Sequence, residues 1–147
     1  MFARIVVGTD GSDTAKVAVE QAADLARKVG ARIDLVSAFE PVPPSRLREE
    51  RQEVPSDIAH TVSPSEDVEA LLNETAAVVQ KDGIEVATFA RQGDPADAIL
   101  DVAEEQKADL IIVGNKGMTG AKRFLLGSVP NKVSHHAPCS VLIVRTT

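Results

Sequence analysis

The chain has 147 residues, a formal net charge of −6 and a pI near 5.0, with 44% hydrophobic and 26% charged residues. That length suits one domain built on one core, taken to span 1–147. Aromatics make up 3%, with no Trp or Tyr, so the core is Val, Ile, Leu and Ala, and the stacking rings used by single-strand nucleic-acid binders are scarce. The acidic balance weighs against any polyanion partner, so no nucleic acid is expected.

One cysteine makes no internal disulfide, which fits a reducing cytoplasm. The run Met1 to Val7 is too short for a signal peptide, and no apolar stretch approaches the ~20 residues that span a bilayer. A cytoplasmic protein without a membrane partner is expected.

In chain order, Ile5 to Val7 is a β-branched run of the kind covered on both faces of a sheet. Gly8-Thr9-Asp10-Gly11-Ser12 follows, two glycines permitting a tight strand-to-helix turn. Ser12 is the better helix cap, which leaves Asp10 freer to accept from a sugar hydroxyl or to hold Mg²⁺ through water. Its ordinary alternative is turn formation. Ala15, Ala18, Val19, Ala22, Ala26 and Val29 recur at helical spacing, and Gly30 is the stop.

Ile33 to Ala38 is the second strand. Phe39 to Val62 then breaks the rhythm with Pro41, Pro43, Pro44 and Pro55, and is either a linker or a flap over a site. Ser63-Pro64-Ser65-Glu66 is a capping box with Pro at the first helical position. Val68, Leu71, Leu72, Thr75, Val78 and Val79 form one stripe, closed by Gly83. The third strand covers Ile84 to Ala90. Asp94-Pro95 opens a helix with Ala96, Ile99, Val102 and Ala103 inward. Glu104 and Glu105 read as a solvated face.

Leu110 to Val113 is the fourth strand, and the richest segment follows it: Gly114-Asn-Lys-Gly117-Met-Thr-Gly120-Ala-Lys-Arg-Phe-Leu-Leu-Gly127-Ser128. Glycines let backbone approach a ligand with amides free, and a helix N-terminus adds unpaired donors, so strand, glycine loop and helix start make a phosphate cradle. Ser128 either caps the helix, bonds a phosphate, or does both in turn. Lys116, Lys122 and Arg123 read first as solvated loop charges and second as anion contacts. No Gly-Lys-[Ser/Thr] stands at Walker A spacing, so the lysine contact that drives phosphoryl transfer is absent. Ser128-Val129-Pro130 begins the fourth helix, ending near His135-His136, whose imidazoles suit a helix C-terminus better than a metal. Cys139 reads as a buried structural thiol. Val141 to Val144 closes the chain's strands.

Strands alternate with helices throughout, which specifies an α/β fold: an open parallel five-stranded sheet with helices on both faces, Rossmann-like. Ligands of such sheets sit beyond the strands' carboxyl ends at the point where strand order reverses. Both glycine-bearing loops belong there.

The spacing G-x2-G-x9-G-[S/T] at Gly114, Gly117, Gly127 and Ser128 resembles the nucleotide signature of the universal stress protein family. The segments Ile5 to Ser12, Ala108 to Gly114 and Pro138 to Val144 resemble it too. That resemblance implies strand order 3-2-1-4-5, ATP binding and a stress-response or regulatory role. It places Gly8, Thr9 and Asp10 on the adenosine and ribose side and the Ala38 backbone at adenine. Gly114, Gly117, Gly127, Ser128 and Val129 would surround ribose and phosphates, with Asn115, Lys116, Met118, Thr119 and Gly120 completing the loop. It also implies a homodimer through Val141, Leu142, Ile143 and Val144. Some members, notably from actinobacteria, favour cyclic AMP, and Leu125 to Pro130 resembles that subset, so ATP, AMP and cyclic AMP all stay open, with Mg²⁺ an accompaniment of the first.

Three other classes compete. An adenylating ATP pyrophosphatase shares the architecture, but Asp10 stands where its loop has glycine. A phosphoacceptor receiver would end its third strand in aspartate, whereas Ala90-Arg91-Gln92-Gly93 stands here. A dimerisation module would keep the glycine loop for structure alone. At most a weak ATPase is expected.

Overall fold

The computed structural model describes residues 2–40, 64–115 and 126–146. Nine elements follow in order: β1 (Arg4–Gly8), α1 (Asp13–Val29), β2 (Arg32–Phe39), α2 (Pro64–Gln80), β3 (Val86–Gln92), α3 (Pro95–Glu105), β4 (Leu110–Gly114), α4 (Ser128–His136) and β5 (Ser140–Val144). All strand pairings are parallel, in the order β3-β2-β1-β4-β5.

Two apolar layers sandwich the sheet, and the alternation of side chains along each strand divides them. Ile5 and Val7 of β1 face α1 and α2, with Ile33, Leu35 and Ile112 from neighbouring strands. Val6 faces α3 and α4, with Val36, Ile111 and Val113. The α1 surface is mostly alanine (Ala18, Ala22, Ala23, Ala26), which seats that helix close to the sheet.

Helix ends follow the expected chemistry. Ser12 caps α1, its Oγ accepting the Ala15 N–H at 3.2 Å, and Gly30 stops it with φ of +75°. Asp94 caps α3 by accepting the Asp97 N–H at 3.1 Å. The expected cap of α2, Ser63, lies outside the described residues, as do 41–62 of the long connection.

Two expectations need correction. β3 begins at Val86 and runs to Gln92, later than expected, because Gly83 (φ +80°) turns the chain before Ile84, which is buried ahead of the strand. Val78 is 61% exposed, since Leu72, Ala76 and Val79 define the inward face of α2 and Val78 stands beside it. Glu104 and Glu105 are both exposed, as a solvated face requires, and the Glu105 carboxylate accepts from both terminal nitrogens of Arg91, at 3.0 and 2.7 Å.

Beneath α3 lies one polar insertion. Asp34 of β2 is fully buried and accepts from Arg32 at 2.6 Å through Oδ1, while Oδ2 has no partner.

Candidate functional site

β1 is flanked by β2 on one side and β4 on the other, so the chain reverses its direction of travel across the sheet at β1. Val7 pairs with Ile112, which sets Gly8 and Gly114 at the same end of adjacent strands. An open cleft lies there. Gly8, Thr9 and Asp10 line one side, Gly114, Val129 and Thr146 the other, and Ile99 of α3 the floor.

The first loop is braced by its own polar groups. The Thr9 N–H donates to the Val36 carbonyl at 2.9 Å, and the buried Thr9 Oγ1 accepts the Gly11 N–H at 3.2 Å. Asp10 Oδ1 accepts the Ser12 N–H at 2.9 Å. Asp10 is therefore not the free carboxylate expected from Ser12 taking the cap: Ser12 does cap α1, and Asp10 makes the turn that presents it. Gly11 has φ of +81°, and a Cβ there would meet Leu71 Cδ1 at 2.8 Å, so both backbone and space call for glycine. Gly8 has no backbone demand of that kind; a Cβ on it would run into Ile99 Cδ1.

The second loop leaves β4 at Asn115 and returns at Gly127. The Gly127 N–H donates to the Asn115 carbonyl at 3.0 Å and closes the neck. The Asn115 N–H donates to the Val144 carbonyl at 2.9 Å. Asn115 Oδ1 accepts both the N–H and the hydroxyl of Thr146, each at 2.9 Å. Lys116, Gly117, Met118, Thr119 and Gly120, together with Lys122 and Arg123, lie outside the described residues.

Ser128 is the first residue of α4, and Gly127 occupies the cap position without a side-chain bond. Ser128 as helix cap is thus corrected. The first intrahelical bond runs from the Asn131 N–H to the Gly127 carbonyl at 3.1 Å. Pro130 has no N–H, so the first turn offers the amides of Ser128 and Val129, which a helix leaves without backbone acceptors. Ala38 stands apart from the lining, two residues beyond Val36, where β2 stops pairing with β1, and packs on the α3–α4 side.

Lys132 and Cys139 are committed elsewhere. Lys132 of α4 bonds Asp97 at 2.8 Å and Asp94 at 3.4 Å, and those carboxylates raise its pKa; it ties α4 to α3. Cys139 is half-buried instead of fully buried, and burial plus the Asp109 charge push its thiol pKa up, away from nucleophile character. Among the described residues no group of three or more His, Cys, Asp or Glu could hold a metal. No helix there is long and apolar enough to cross a membrane.

Thr146 and Ile99 are lining residues that sequence reasoning did not assign. Ile99 was expected inward, but which cavity it floors depends on the packing of α3 across β1. Thr146 lies past the last apolar run and carried no sequence signal.

The universal stress protein family model matches residues 1–145. A universal stress protein of Thermus aquaticus is 37% identical over 145 residues, covering 99% of this chain and all of its own. One from Mycobacterium tuberculosis is 35% identical over 147 residues, covering 99% and 98%. A crystal structure of a universal stress protein in complex with cAMP superimposes with a TM-score of 0.72 at 32% identity, covering 99% of both chains. With the family's model matched almost from end to end and the strand order in agreement, this chain belongs to the universal stress protein family.

Proposed function

We propose that this protein is a regulatory binder of an adenine nucleotide, with ATP as the leading ligand, held in the cleft beyond β1 and β4. One observation carries the proposal: two strands that end in glycine, Gly8 and Gly114, stand side by side at the reversal point with the start of α4 beside them. Side-chain-free strand ends let a ligand approach the backbone, and the first turn of a helix favours anionic groups.

The braced first loop suits the nucleoside. Asp10 spends one oxygen on Ser12, and its other oxygen is the acceptor for a ribose hydroxyl. The amides of Ser128 and Val129 take phosphate oxygens, with the glycine loop from Lys116 to Gly120 completing the cradle. Mg²⁺ would ride on the phosphates and water, Asp10 being the carboxylate of the lining. Among the described lining residues Asp10 is the one carboxylate, beside hydroxyl and apolar side chains, which suits binding better than turnover.

Cyclic AMP is the second reading, favoured by the cAMP complex of a relative 32% identical to this chain. A second copy of the chain is the proposed partner, pairing at β5, which lies at one edge of the sheet with unpaired backbone groups. A cytoplasmic setting completes the proposal.

Isothermal titration with ATP, ADP, AMP and cyclic AMP, each with and without Mg²⁺, tests it. Saturable binding of at least one adenine nucleotide well below about 1 mM is expected, an affinity of more than ~4 kcal/mol. No heat from any of the four at that concentration would leave the cleft without this role.

A further inference from the structure

We propose that Asn115 and Thr146 form a positioning clasp that sets the neck of the glycine loop, so that nucleotide affinity depends on residues at the end of β5. The proposal rests on the nucleotide reading above and assigns a role to two residues that reading leaves unused.

Asn115 is bonded through every backbone group and through its side-chain oxygen. Its N–H reaches the Val144 carbonyl and its carbonyl receives the Gly127 N–H, so it joins the outlet of β4, the end of β5 and the start of α4. Its Oδ1 accepts two bonds from Thr146, at 2.9 Å each. Two donors on one atom fix the amide's orientation, because only the carbonyl oxygen accepts. Thr146 in turn closes over Gly114: a Cβ built there would lie 3.4 Å from Thr146 Cγ2. Thr146 also lines the cleft. A residue beyond the edge strand is thereby a wall of the site and a brace on the residue from which the glycine loop departs.

The chemistry explains why these side-chain types serve. An asparagine oxygen accepts two bonds without bringing a negative charge beside a phosphate cradle, which an aspartate would do. A threonine supplies a hydroxyl donor to Asn115 and a methyl to Gly114 at once. Each bond is worth roughly a fivefold factor in an equilibrium constant when it is made in one state and not the other. Nucleotide binding feels the clasp to the extent that the neck is better held in the bound state.

The test compares ATP affinity of the wild type with that of Asn115→Ala, Thr146→Val and Thr146→Ser, alongside the thermal midpoint of each free protein. Asn115→Ala, losing both side-chain bonds, should weaken ATP by about tenfold. Thr146→Val keeps the shape and the backbone bond and should weaken it about threefold to fivefold. Thr146→Ser restores the hydroxyl and most of the affinity. In the wild type, ATP should slow hydrogen exchange at the Thr146 amide, a response that a purely structural contact would not give. Should Asn115→Ala fail to fold, the two Thr146 variants and the exchange measurement still decide. Wild-type binding with unchanged affinity in both Asn115→Ala and Thr146→Val, or with no change in Thr146 exchange, overturns the clasp and spares the nucleotide site. Absence of ATP and cyclic AMP binding by the wild type overturns both.

Discussion

Gly8→Ala is a packing perturbation with no backbone contribution, because Gly8 is not among the glycines with positive φ. The new methyl would overlap Ile99 Cδ1 and stand 3.1 Å from Ile99 Cγ1. Ile99 is 2% exposed, so it has little room to turn away. Overpacking of this kind costs about 1–3 kcal/mol, against a gain of about 0.5–1 kcal/mol from the stiffer unfolded chain. The net expectation is a loss of about 1–2 kcal/mol. Ile99→Val alone removes the methyl and costs about 0.5–1.5 kcal/mol.

Combined, each substitution repairs the other: the alanine methyl fills what the valine vacates, and only the looser Cγ1 contact at 3.1 Å is left. The double variant should match Ile99→Val, with a coupling of about 1–2 kcal/mol in its favour. Urea unfolding monitored by circular dichroism, with a common m-value, measures all four corners of the cycle. Additivity within about 0.5 kcal/mol would refute the claim that Ile99 occupies the space glycine leaves at the end of β1.

The pair beneath α3 should respond asymmetrically. Arg32→Ala strands a fully buried carboxylate and should cost about 3–5 kcal/mol, whereas Asp34→Leu leaves an arginine whose side chain is 25% exposed and finds water, costing less; the reverse order in urea unfolding would sink that account. Cys139, its thiol pKa raised by burial and by Asp109, carries less thiolate at pH 8 than an unfolded cysteine, so a disulfide reagent should modify it several times more slowly in the native protein than in urea; equal rates would contradict it. Leu142 is 41% exposed on the edge strand, while Val141 and Ile143 pack toward α3 and α4. Leu142→Lys is therefore the clean probe of pairing through β5, expected to yield monomers by light scattering without unfolding, and an unchanged dimer mass would remove that interface.

Strand and helix order was legible because each apolar run carries its period and each helix its punctuation: Ser12 and Asp94 as caps, Gly30 and Gly83 as stops. Strand order 3-2-1-4-5 came from family resemblance, since alternation alone says parallel without saying which neighbours meet. The cleft's two glycine strand ends were also visible in sequence. Polar detail was not. Asp10 and Ser12 both have turn and cap chemistry, and only the backbone path shows that the two roles run in series. Ser128 looked like a cap because serine commonly is one, yet Gly127 takes that position with its N–H already bound to Asn115. Thr146 was invisible, because its partner is 31 residues away along the chain.

The two walls of the cleft differ in how they are held, and under the nucleotide proposal that difference bears on ligand choice. Thr9, Asp10 and Ser12 spend their side chains on the turn itself, so the wall proposed to meet the nucleoside is fixed before any ligand arrives, and preorganisation of that kind lowers the entropic cost of binding. The opposite wall, made of Gly114, Val129 and Thr146, is tied together through the bonds of Asn115 to Val144, Gly127 and Thr146. Under the nucleotide proposal, ATP and AMP present the same adenosine to the first wall, with both ribose hydroxyls free, whereas cyclic AMP has its 3′ oxygen tied into the phosphate ring and differs at the ribose as well. On that proposal ATP and AMP are told apart on the phosphate side, and exchanging Lys116, Lys122 or Arg123 should change their relative affinities in isothermal titration. Substitution of Asp10, the proposed ribose acceptor, should weaken ATP and AMP alike.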